Sequence, residues 1–223
     1  MRALILVDIQ NDFCPGGALA VRDGDAVVSP ANRLMDACEV IVATQDWHPR
    51  DHGSFADNHP GRKPFELAEL AGLAQVLWPA HCVQGTPGAD FHPALDRARI
   101  QRVFPKGTDP AVDSYSGFFD NGRRRSTGLG EWLRERGVDE VVLAGLATDY
   151  CVKATALDAL ASGFRTTVVA DACRAVDLNP GDGERALTEM RAAGCVIATV
   201  AGIAHIQEGA MTTVPRDRRS ENP

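Results

Sequence analysis

Cys151 follows the apolar run Val141-Val142-Leu143-Ala144-Gly145 and opens a helical pattern after Leu146-Ala147-Thr148-Asp149-Tyr150. That order puts a thiol at a strand-to-helix turn. Backbone N–H groups there lack intrahelical partners, and the positive end of the helix dipole favours a thiolate and any oxyanion formed beside it. The setting suits acyl transfer. A single cysteine is more often a buried, inert core residue, so the companions of Cys151 decide its meaning. A thiol nucleophile needs a base to take its proton and a cation to hold its charge. Asp8 ends the apolar run Ala3 to Val7, and Lys106 follows Phe104-Pro105; these two supply both needs without a histidine. Buried beside a thiol, Asp8 is expected to have a raised pKa that lets it shuttle a proton while Lys106 supports the ionised states. The N–H groups of Ala147 and Cys151 are candidates to bind the oxyanion.

A second group lies in a histidine-rich stretch. Asp46 and His48 stand two apart in Asp46-Trp47-His48, and His81 lies in Trp78-Pro79-Ala80-His81-Cys82. One carboxylate and two imidazoles with open positions for water suit a single divalent metal ion, Zn, Fe or Mn. An Asp-x-His pair alone is usually a surface histidine bonded to its loop; its place beside the presumed nucleophile favours the metal. His52 reads equally as a further ligand or as a loop residue, and His59, His92 and His205 read as structural.

These residues need elements to hold them. Short apolar runs at Ala3 to Val7, Val40 to Ala43, Ile100 to Phe104, Val141 to Ala144, Thr166 to Ala170 and Cys195 to Thr199 suit strands covered on both faces. Between them, helical spacing appears at Ala26 to Met35, Leu129 to Leu133, Val152 to Leu160 and Ala186 to Met190. Pro30 starts or bends the first of these. The alternation predicts an α/β fold, a three-layer sandwich around a central, mainly parallel sheet of about six strands. Asp8, Asp46, Lys106 and Cys151 each follow a strand, and in an open parallel sheet those ends share the edge where ligands bind. The stretch from residue 46 to 96 is rich in Pro, Gly and His, with one helical candidate around Phe65 to Leu77. It reads as a metal-binding insertion in a single domain of residues 1–214, with a frayed tail at 215–223.

Composition excludes other classes. A formal charge of -7 over 223 residues argues against a general nucleic-acid binder, and Arg123-Arg124-Arg125 reads as a solvated loop. The six cysteines show no paired spacing for a zinc ribbon or a disulfide scaffold. The first apolar stretch meets Asp8 too soon for a signal peptide or a bilayer span. A cytoplasmic protein with a small-molecule substrate and no membrane or nucleic-acid partner is expected; oligomeric state stays open.

Asp8-Ile9-Gln10-Asn11-Asp12-Phe13, Asp46-Trp47-His48-Pro49, Trp78-Pro79-Ala80-His81-Cys82-Val83-Gln84-Gly85, Phe104-Pro105-Lys106-Gly107 and Gly145-Leu146-Ala147-Thr148-Asp149-Tyr150-Cys151 together resemble the nicotinamidases (pyrazinamidases) of the isochorismatase-like cysteine hydrolases. The resemblance covers nearly the whole chain to about Thr199. It implies Asp8, Lys106 and Cys151 as the catalytic three and Asp46, His48 and His81 as ligands of a divalent metal. It also implies a cis peptide between Leu146 and Ala147 that directs the Ala147 N–H to the oxyanion, and a substrate pocket of Phe13, Trp78, Tyr115 and Leu146. The implied reaction converts nicotinamide to nicotinate and ammonia through a thioester, with pyrazinamide as a further substrate, in NAD salvage or in detoxification. The rivals are a related hydrolase acting on a carbamoyl or ureido group, or on isochorismate, and a non-catalytic binding protein on the same fold. Isochorismate hydrolysis has no need of a thiol nucleophile, the metal set argues against the carbamoyl group, and a binding protein has no use for Asp8, Lys106 and Cys151 together.

Overall fold

Ala3 to Val7 is apolar at every position, and such a run forms a strand buried on both faces. In the computed structural model, which describes residues 1–203, it is the middle of β1 (Arg2–Val7), with each of those five residues wholly shielded from solvent. The remaining elements are α1 (Val28–Leu34), β2 (Val40–Asp46), β3 (Leu67–Leu70), β4 (Leu73–Val76), β5 (Arg102–Lys106), α2 (Leu129–Glu135), β6 (Glu140–Leu146), α3 (Lys153–Ala161), β7 (Arg165–Arg174), α4 (Asp182–Ala193) and β8 (Val196–Ala198). His205 and the tail at 215–223 lie outside the described residues.

Six strands form one parallel sheet in the order β5-β2-β1-β6-β7-β8. Because side chains alternate along a strand, Leu4, Leu6, Val142 and Ala144 face one core with Ala31 and Leu34 of α1. Ala3, Ile5, Val141 and Leu143 face the other, against Leu133 of α2, Ala156 of α3 and Met190 of α4. The predicted three layers are present. Pro30 is the third residue of α1, inside the first turn, where a missing N–H costs no helical bond.

One expected element is different. Residues 65–77 form no helix; β3 and β4 make an antiparallel hairpin. Leu67, Leu70, Leu73 and Val76, three apart, imitate helical spacing. Ala71 and Gly72 both have positive φ, 54° and 80°, the two-residue turn that matches strand twist. The basic run helps to hold this hairpin: Arg124 donates to the Ala71 carbonyl at 2.8 Å, while Arg123 pairs with Asp158 and Arg125 with Asp109. Among the described residues no helix is long and apolar enough to cross a membrane.

Candidate active site

Parallel register brings the polar strand ends to one edge. Asp46 and Lys106 are partners across β2 and β5, and Val7, just before Asp8, partners Gly145 across β1 and β6. Gly145 has φ +131°, and a Cβ there would lie 2.1 Å from the Val7 carbonyl oxygen, so only glycine lets β6 pass β1 at this point. The Leu146–Ala147 peptide that follows is cis. The chain then forms a wide π-helical turn, Thr148–Val152, that carries Cys151 and runs into α3. Asp8 adopts φ 48° as β1 ends.

Lys106 ties the strand ends together. Its side chain is fully buried, and Nζ lies 2.9 Å from Asp8 Oδ2 and 3.3 Å from Cys151 Sγ. It also donates to the Ser114 carbonyl at 2.9 Å and to Asp46 Oδ1. Thr44 Oγ1 donates to Asp8 Oδ1 at 2.7 Å. Burial raises the Asp8 carboxyl to about 6, with Lys106 opposing and Asp46 adding to the rise. Burial also works against the charges of Lys106 and Asp46. Their mutual pairing outweighs it, holding the ammonium well above its usual range and the Asp46 carboxyl well below. Burial pushes the Cys151 thiol well up, and Lys106 only partly offsets it. The expected preference for thiolate is therefore corrected: at rest the thiol keeps its proton, because desolvation in a closed site exceeds the pull of a lysine already shared with two carboxylates. Asp8 and Cys151 have ligand atoms within 4.8 Å of each other and of Asp46, so a proton has little distance to travel.

The Asp46, His48 and His81 ligand atoms also lie within 4.8 Å of one another. His48 Nδ1 donates to the Gly107 carbonyl and His81 Nδ1 to the Pro79 carbonyl, both at 2.8 Å. Those bonds leave each Nε2 facing Asp46 Oδ2, at 3.7 and 3.8 Å. An imidazole anchored at one nitrogen and free at the other is the arrangement found around bound metals. Gly107 is required here: at φ +62° its Cβ would sit 2.3 Å from His48 Cε1. His52 is buried against the His48 ring, centroids 4.4 Å apart, with Nδ1 at 2.7 Å from Ser54 Oγ and Nε2 without a hydrogen-bond partner among the described residues. A buried imidazole nitrogen left unsatisfied and three converging ligands of carboxylate and imidazole type fit a divalent cation.

Beside these groups lies a narrow cleft of about 30 Å³. Phe13, Trp78, Tyr115 and Tyr150 line it together with Ala147, Cys151, His48 and His81. Trp78 meets Tyr150 edge-on at 4.8 Å. Leu146 does not reach the cleft: it is wholly buried in the core beneath Ala147, the last residue of a strand covered on both faces. Sequence reading missed Leu19, Tyr150, Val176 and Asp113 in the lining. It also missed three residues that aim the site. Gln10 exchanges 2.8 Å bonds with the Asp46 backbone, Asp12 accepts from the Cys82 N–H at 2.7 Å, and Asp149 accepts from Val176 and Asp177 N–H at 2.9 Å. Gln10 and Asp149 are buried and Asp12 is half-buried, and the partners of all three lie too far along the chain for local spacing to show them.

Residues 2–202 match the model of the isochorismatase domain. The chain is 54% identical over 204 residues to an Escherichia coli nicotinamidase, covering 90% of this chain and 95% of that one. Among solved structures, an Acinetobacter baumanii nicotinamidase/pyrazinamidase superposes with a TM-score of 0.87 at 48% identity, over 90% of this chain and 96% of the other. A Pyrococcus horikoshii pyrazinamidase in complex with zinc superposes with a TM-score of 0.72 at 40% identity, over 89% and 98%.

Proposed function

This chain belongs to the isochorismatase family and within it to the nicotinamidases, and from that membership we propose that it hydrolyses nicotinamide to nicotinate and ammonia, and pyrazinamide in the same way, through a thioester on Cys151. The observation that carries the reading is Lys106, buried between Asp8 and Asp46 and 3.3 Å from the Sγ of Cys151, which lines an aromatic cleft.

At neutral pH Asp8, with its pKa of about 6, is mostly ionised while Cys151 is a thiol, the resting state that a base and a nucleophile require. Asp8 takes the thiol proton as Sγ bonds to the carboxamide carbon. The Ala147 and Cys151 N–H groups hold the oxyanion. Asp8 returns the proton to the amide nitrogen, the carbon–nitrogen bond breaks and ammonia leaves. Water then gives a proton to Asp8 and adds to the thioester; the carbon–sulfur bond breaks and Cys151 recovers its proton. Lys106 stays charged throughout and holds whichever of Asp8 and Cys151 is anionic.

Asp46, His48 and His81 would hold one divalent ion, which when bound supplies a Lewis-acid centre facing the cleft. The zinc in the Pyrococcus horikoshii relative supports this reading. Phe13, Trp78 and Tyr115 hold the ring of the substrate. The test is ammonia release from nicotinamide, pyrazinamide and a ureido acid, with metal analysis of the same sample. Release from the first two and a stoichiometric divalent metal are expected; release from the ureido acid alone would replace the reading with the carbamoyl one.

A further inference from the structure

The strand residues of the β3–β4 hairpin are exposed or half-buried, Leu67 being 70% exposed, except for one that is buried, the polar Gln75. A buried amide is unfavourable unless it is hydrogen-bonded. Gln75 Nε2 lies 2.8 Å from the Val76 carbonyl oxygen and from Asp113 Oδ2 and 3.1 Å from Tyr115 OH; it has two hydrogens, so one goes to Val76 and the other is shared between Asp113 and Tyr115. A carbonyl and a carboxylate accept only, so the NH₂ end of the amide must face them. The Tyr115 oxygen also accepts from Trp78 Nε1 at 3.2 Å, and an indole can only donate. The indole hydrogen and the shared amide hydrogen thus lie on the acceptor side of the phenol oxygen. Its own hydrogen is committed to no acceptor among the described residues. Burial and the Asp113 charge hold the phenol well above its usual range, so the hydrogen stays in place. Tyr115 lines the same cleft as Cys151.

We propose that Gln75 is a positioning residue that, together with Trp78, turns the Tyr115 hydroxyl so that it donates into the cleft, to an acceptor atom of the bound substrate. The proposal deepens the amidase reading and rests on it. Removing the Gln75 amide takes away the hydrogen that Tyr115 and Asp113 share. The Asp113 carboxylate is then free to draw the phenol hydrogen, and the cleft loses its donor. An element that looks like surface decoration therefore helps to select substrates with a well-placed acceptor.

The test compares ammonia release by wild type, Gln75→Leu, Tyr115→Phe and the double variant. Each single change is expected to raise KM for nicotinamide about 3- to 10-fold, the range for one neutral hydrogen bond, with kcat altered less than about twofold. The double variant should be no worse than Tyr115→Phe, because Gln75 acts through the hydroxyl. If Gln75→Leu costs as much in the Tyr115→Phe background as in wild type, its role is hairpin structure and the proposal falls. Gln75→Met keeps the length of the side chain should the leucine variant fail to fold. A second readout needs no turnover: the indole ¹⁵N–H signal of Trp78 in substrate-free protein should move in Gln75→Leu, and an unmoved signal overturns the proposal. Wild type that releases no ammonia from nicotinamide would overturn the amidase reading instead, and the Trp78 signal would still decide the placement of Gln75.

Discussion

Lys106 donates to Asp46 Oδ1, and the other oxygen of that carboxylate faces His48 and His81. One carboxylate therefore joins the proposed metal group to the proposed catalytic group through a buried lysine. Loading a cation on Oδ2 would draw charge from the carboxylate and loosen its hold on Lys106, leaving more of the ammonium for Asp8 and Cys151.

Cys151→Ala removes the nucleophile while leaving a small apolar residue at the helix start. Ammonia release from nicotinamide should fall about 10³-fold or more, with an unchanged circular dichroism spectrum. A variant keeping more than about a tenth of the wild-type rate would remove Cys151 from the role of nucleophile.

Lys106→Met leaves Asp8 and Asp46 facing each other in a closed site without their cation. A stability loss of about 3–5 kcal/mol is expected from breaking a buried pair, and kcat should fall by more than KM rises. The alkylation rate of Cys151, followed against pH, should move to higher pH. An unmoved alkylation profile would return Lys106 to a structural role.

Asp8 acts as a base only when ionised, and its carboxyl is raised to about 6. The base is therefore present above pH 6 and lost as pH falls through it, so kcat/KM should drop about tenfold per pH unit below that point. Thr44→Val deletes a donor that favours the ionised form, and should move this acid limb up by roughly half a pH unit to one. A limb that stays in place in the valine variant assigns it to another group.

Chelation, or the double change His48→Ala and His81→Ala, should strip the metal. If the ion faces the ring nitrogen, wild type should prefer nicotinamide strongly over benzamide, since the aromatic walls hold both rings alike, and the stripped protein should lose most of that preference. The two rates before and after stripping, read beside metal content, decide it; a preserved ratio means that polar groups of the cleft read the ring.

Gly107→Ala drives a methyl group toward His48 Cε1 and displaces the imidazole without changing any ligand. Metal affinity should fall about 10- to 100-fold, as for other losses of support around a ligand, and calorimetric titration with zinc measures it. Wild-type affinity in the alanine variant would show that His48 is not held where this geometry requires.

Much of this protein is legible along the chain. Uninterrupted apolar runs such as Ala3 to Val7 announce two-sided strands, and a polar residue at the end of each marks the ligand edge of a parallel sheet, so the placement of Asp8, Asp46, Lys106 and Cys151 at one edge follows from local pattern plus one rule of topology. What needed the tertiary structure is whatever depends on distance across the fold. Leu67, Leu70, Leu73 and Val76 fit a helix as well as a hairpin until packing chooses. Leu146 stands next to Ala147 in sequence, yet one lies in the core and the other in the cleft. Residue type shows that Cys151 is a thiol and Lys106 a cation; only their shared burial, with Asp8 and Asp46 competing for the same ammonium, decides that the thiol rests protonated. Periodicity is a property of neighbours in the chain, whereas desolvation and ion pairing belong to groups that meet only after the chain has folded.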